Sequence, residues 1–148
     1  GDPLLTTQQD HVEIVNAICQ EFSNLPADCA LILMGHGTSH YANDVYAALD
    51  YRFKDLGFSN IHLATVEGYP TLENVTRMVK EQEAKKVILA PFMIVAGDHA
   101  RNDMSGDDED SWKNQFRAAG YDVECRMKGL GEYPAIQDML IRHVTEVC

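Results

Sequence analysis

Basic residues are scarce. Twelve lysines and arginines face twenty-three aspartates and glutamates, for a net charge of -11, the wrong sign for condensing on nucleic acid or on an anionic membrane. Neither is expected as a partner. No apolar run approaches the roughly 18 residues that a membrane helix needs, and the chain does not open with the basic, apolar and small-residue order of a secretory signal. Cysteine is sparse and scattered: Cys19, Cys29, Cys125 and Cys148 form no CxxC pair. That spacing argues against a thiolate zinc site and against a dense disulfide framework, so reduced thiols in a cytoplasmic protein are expected. Gly1 stands where a natural start would have methionine, which reads as a trimmed chain and is compatible with a periplasmic form whose signal has been removed. Internal repeats, low-complexity tracts and an interdomain linker are lacking as well.

What remains is a 148-residue chain with 45% hydrophobic and 24% charged residues, enough for a single domain with a buried core. Short β-branched runs alternate with helical periods. Residues 6–22 read as a helix capped by Thr6 or Thr7. Residues 30–34 then read as a strand, and the run 41–57 as a helix with Val45, Leu49, Phe53 and Leu56 on one face, stopping at Gly57. Strand 61–66 follows, then a helix from Pro70 and Thr71 to about Ala84, and strand 86–93, the most hydrophobic in the chain. A polar loop is expected over 96–108. Next comes a helix over 107–120 whose acidic residues crowd its first turn, with Trp112 and Phe116 facing the core. A strand over 121–127 and a helix over 133–147 complete the pattern. Strands alternating with helices imply βαβ units: an α/β three-layer sandwich with a mainly four-stranded parallel sheet.

In such a sheet, ligands bind outside the carboxyl ends of the strands. The residues just past the first three strands are His36, Glu67 and His99. Two imidazoles and a carboxylate suit a divalent first-row metal held with open positions, and the same groups move protons near neutral pH. Plainer readings stand beside this one. GHGTSH partly matches a dinucleotide-binding turn, but His40 occupies the place of the third glycine. His40 lies four residues after His36, the spacing of a helical metal pair, yet its side chain is also placed to cap the next helix. His11, His62 and His143 read as surface or strand-face residues. The acidic group Asp103, Asp107, Asp108, Glu109 and Asp110 lacks the glycine and glutamate positions of an EF-hand and reads as a solvated helix start.

The segments GDPLL, MGHGTSH, VEGYP, APFMIVAGDHARNDMSGDDEDSWK and GLGEYPAI, in that order, resemble the sirohydrochlorin cobaltochelatases of the anaerobic cobalamin pathway, the CbiK type of class II chelatase. The resemblance covers nearly the whole chain but only the carboxyl-terminal half of the family's length. It implies a two-lobed enzyme, of which residues 1–148 form one chelatase-like domain, with either a missing amino-terminal half or a second copy of the chain supplying the other wall of the cleft. The implied reaction is ATP-independent insertion of Co2+, or alternatively Fe2+ or Ni2+, into sirohydrochlorin or a related tetrapyrrole, with no organic cofactor. The implied metal ligands are His36, Glu67 and His99, and His36 and His99 are the catalytic candidates. Arg101, Gly37 and His40 are candidate substrate contacts, Arg101 because an acidic protein needs a local cation for a polycarboxylate ligand. Iron insertion for siroheme, or carriage of metal or tetrapyrrole without catalysis, are the competing functions.

Overall fold

The computed structural model describes residues 7–147, so GDPLL, the capping candidate Thr6 and Cys148 lie outside the described residues. The chain alternates as the pattern requires: α1 (Gln8–Glu21), β1 (Cys29–Gly35), α2 (Asp44–Asp55), β2 (Ile61–Thr65), α3 (Leu72–Glu81), β3 (Lys86–Pro91), α4 (Asp98–Ser105), α5 (Trp112–Ala118), β4 (Asp122–Cys125) and α6 (Pro134–Val147). Single 3-10 turns at Tyr41–Asn43 and Leu130–Glu132 precede α2 and α6. All four strands are parallel, in the order β2-β1-β3-β4. Every residue of β1 is buried, which explains why that strand reads as a continuous apolar run rather than an alternating one.

Side-chain alternation divides the core between the two faces of the sheet. Leu31, Leu33, Ile61, Leu63, Ile88 and Ala90 pack with α1, α2 and α6. Ala30, Ile32, Met34, Ala64, Val87 and Leu89 pack with α3, α4 and α5. Trp112 and Phe116 belong to this second layer, as expected. The free edge of β2 is closed by side chains: Asp50 Oδ1 accepts from Leu63 N at 2.9 Å, and Lys54 Nζ donates to Ile61 O at 2.6 Å. Cys19, Cys29 and Cys125 are free thiols.

Three expectations need correction. The stretch 96–108 is not all loop, because Asp98–Ser105 forms α4, capped by Gly97 and pinned by the fully buried Met104. With one buried apolar side chain in eight residues, the helical period is too faint to read. The acidic residues 107–110 precede α5 rather than filling its first turn. Ser111 is the cap that starts the helix, its Oγ accepting from Asn114 N at 3.2 Å. Of the remaining histidines, His62 does lie on a strand, β2, but is only 1% exposed, and His11, read as a surface or strand-face residue, sits in α1 at 7% exposure. His62 Nε2 stands 2.9 Å from Gln82 Oε1, and Lys54 Nζ lies 3.2 Å from its Nδ1. His143 packs its Nε2 3.0 Å from Asp10 Oδ1, joining α6 to α1.

Candidate functional site at the carboxyl edge of the sheet

The order β2-β1-β3-β4 sends the chain from β1 to one side and then back to the other, so the topological switch lies between β1 and β3, where the crevice outside the strand ends receives ligands. His36 is the first residue past β1, Glu67 the second past β2, and His99 the second residue of α4, beyond β3. All three are exposed on this edge.

His36 and Glu67 come together. Backbone bonds carry the β1–β2 pairing past the strand ends: Val66 N donates to Gly35 O and Glu67 N to His36 O, both at 3.0 Å. This brings His36 Nε2 to 3.5 Å from Glu67 Oε2, with side chains 71% and 61% exposed. An imidazole and a carboxylate facing solvent at this separation are donors of the type that suits a divalent first-row cation, with room for further ligands. The turn itself depends on Gly37, whose φ is +79°. A Cβ there would stand 2.6 Å from Thr65 Cβ and 2.8 Å from Gly68 N. Thr65 braces the other loop, its Oγ1 donating to Pro70 O at 3.0 Å and accepting from Gly68 N at 2.9 Å.

His99 is not drawn into the same cluster. Among the described residues, no group of three or more His, Cys, Asp or Glu side chains stands close enough to hold a metal ion. His99 occupies the first turn of α4, and Arg101, two residues on, anchors its Nε on Ala96 O at 3.1 Å with the rest of the side chain exposed. His40 caps: its Nδ1 accepts from Ala42 N at 3.1 Å, starting the 3-10 turn, and its ring lies 4.1 Å from that of Tyr41. Residues 36–40 are not helical, so the four-residue spacing from His36 makes no helical pair.

Two features of this edge escape a reading of the sequence. One is an apolar rim, Tyr41, Val66, Tyr69, Ile94 and Val95, contributed by the loops after β1, β2 and β3. Each of these residues looks unremarkable in its own segment, and only the shared edge assembles them. The other is Asn43, buried to 7% exposure between the loops after β1 and β2. Its signal in the sequence, an asparagine just before a helix, suggests nothing more than a cap.

Comparisons with known proteins converge. The family described as Cobalt chelatase (CbiK) matches residues 1–148. The sirohydrochlorin cobaltochelatase of Salmonella typhimurium is 40% identical over 144 residues, covering 97% of this chain and 54% of that protein. Sirohydrochlorin cobaltochelatase CbiKC of Nitratidesulfovibrio vulgaris is 33% identical over 149 residues, covering 98% and 51%. The chain thus spans about half the length of the curated relatives it matches. A multi-domain Deinococcus radiodurans protein, whose crystal structure was described as similar to chelatases with two additional novel domains, superposes with a TM-score of 0.60 at 18% identity. It covers 88% of this chain and 28% of its own, and supports the fold alone. On the match of its whole length and on these identities, the chain belongs to the CbiK cobalt chelatase family.

Proposed function

We propose that this domain takes part in inserting Co2+ into sirohydrochlorin without ATP, as one lobe of a two-lobed chelatase whose other wall comes from an amino-terminal half or a second copy of the chain. The observation that carries the reading is the His36–Glu67 pair, 3.5 Å apart and open to solvent at the carboxyl ends of the adjacent strands β1 and β2, in a chain of the cobalt chelatase family. Co2+ is substrate here, not a resident cofactor.

Insertion exchanges two pyrrole N–H protons for one divalent ion, so the site needs a ligand set that holds the ion and then yields it, and a base near the ring nitrogens. His36 and Glu67 hold the ion, and His99 faces the same cleft from the third strand end. His36, with His99 as second base, accepts a pyrrole proton. Both roles use the lone pair of the neutral imidazole, as ligand to the ion and as base toward the pyrrole N–H. The apolar rim receives the macrocycle's faces. Arg101 answers the substrate's carboxylates, and Gly37 and His40 shape the floor beside them.

The test is single-turnover insertion of Co2+ into sirohydrochlorin followed by absorbance, with Fe2+ run in parallel. His36→Ala is expected to slow insertion by about 100-fold or more, the usual contribution of a positioned general base. Insertion at the unchanged rate would remove His36 from the mechanism, and bound but uninserted metal would make the protein a carrier.

A further inference from the structure

Asn43 stands at the N-terminal boundary of α2, the place where asparagine ordinarily accepts a hydrogen bond from the helix's first turn. Here it makes no such bond, and its own backbone is already helical at φ -62°, ψ -19°. Its amide is directed sideways instead. Oδ1 accepts from Thr38 N at 2.8 Å, and Nδ2 donates to Tyr69 O at 2.5 Å.

The two partners are placed symmetrically about the candidate ligands. Thr38 lies two residues beyond His36, and Tyr69 two residues beyond Glu67. The backbone bonds from Val66 to Gly35 and from Glu67 to His36 tie the roots of the two loops, and those loops then diverge. Asn43 closes them again at their far ends through one side chain. Gly68 leaves the space this needs, since a methyl group there would collide with the Asn43 amide. With Asn43 buried at 7% exposure, water does not readily replace either bond.

We infer that Asn43 is a positioning residue: by bridging Thr38 and Tyr69 it locks the loop carrying His36 against the loop carrying Glu67 and sets the gap an incoming divalent ion must fit. The inference rests on the proposed role of His36 and Glu67 as metal ligands. Asn43 touches neither the ion nor the macrocycle. It acts by holding the imidazole and carboxylate at a fixed separation, so that the ion need not order two exposed loops as it binds.

The experiment uses Co2+ alone as probe, titrated into the chain and read by calorimetry and by the visible d–d spectrum of the bound ion. Asn43→Asp keeps an acceptor for Thr38 N but sets a carboxylate oxygen against Tyr69 O. Asn43→Ser is too short to span both partners and serves as the milder variant should the first fold poorly. Both are expected to weaken Co2+ binding by about tenfold or more and to change the spectrum, because two loosely held ligands sample several geometries. In a His36→Ala background, neither should weaken the residual binding further, since Asn43 acts only through the pair. Wild-type affinity and spectrum in both Asn43 variants overturns the inference, and so does an equal loss with and without His36. If His36→Ala and Glu67→Gln themselves leave Co2+ binding unchanged, the reading of the site falls and takes the inference with it. A loss in those two variants beside wild-type binding in the Asn43 variants sinks the inference alone.

Discussion

Replacing Gly37 with alanine probes the joint between the two site loops directly. At φ +79° the left-handed backbone costs a non-glycine residue about 1–2 kcal/mol. The added methyl also enters a space bounded at 2.6 Å by Thr65 Cβ, at 2.8 Å by Gly68 N and at 2.9 Å by Thr65 Oγ1. One of those neighbours is backbone, and Thr65 is held by Pro70 O and Gly68 N, so neither yields without breaking a bond. Overpacking of this kind adds about 1–3 kcal/mol, for a total of about 2–5 kcal/mol. Gly57 supplies the control, because it has a similar φ of +91° with nothing within 4 Å of an added Cβ. Gly57→Ala therefore carries the backbone cost alone. In thermal denaturation of both variants, Gly37→Ala is expected to melt about 2–12 °C below Gly57→Ala, at about 2–4 °C per kcal/mol for a chain of this size. Because the methyl pushes apart the segments that bear His36 and Glu67, Co2+ affinity should fall in Gly37→Ala and stay unchanged in Gly57→Ala. Melting points within about 1 °C of each other would refute the steric argument.

Two further predictions concern the polar network behind the β2 edge. Burial, and then the charge of Lys54, hold the His62 imidazole below its ordinary value of 6.5. The unfolded chain therefore binds a proton that the native state refuses, and stability rises with pH. It is full above about pH 6.5 and declines below that by at most about 1.4 kcal/mol per pH unit. His62→Gln should flatten urea-determined stability between about pH 6.5 and 5, and an undiminished slope would show that another group is responsible. Asp50→Ala strips the acceptor from Leu63 N and the carboxylate partner from Lys54 Nζ, which keeps its bond to Ile61 O, and should lower the urea-extrapolated stability by about 2–3 kcal/mol. A loss below about 0.5 kcal/mol would mean that water restores both bonds.

Hydrophobic period and turn chemistry carry the order of strands and helices, because both are local. The fully buried β1, and β3 after its first residue Lys86, betray themselves as continuous apolar runs, and Gly57 and Gly120 end their helices at positive φ, where glycine meets no steric penalty. The α4 helix fails this test because only Met104 among its eight residues is fully buried, so a helix held mainly by its ends leaves little imprint on the pattern. The burial of His62 is likewise invisible from residues 61–66, since the partners that permit it, Lys54 and Gln82, come from other elements.

For the site, the sequence by itself placed His36, Glu67 and His99 after successive strands, because in a parallel sheet every strand ends at the same edge. Only the tertiary structure decided which of them meet. His36 and Glu67 stand together because β1 and β2 are adjacent and their hydrogen bonding continues past the strand ends, whereas His99 rides on a helix beyond β3 and stays apart. The structure kept His40 to the local capping role its position already offered, and turned Asn43 into a bridge between two loops. The physical reason is that a side chain's partner is fixed by three-dimensional proximity, which spacing along the chain specifies within one element but not between elements.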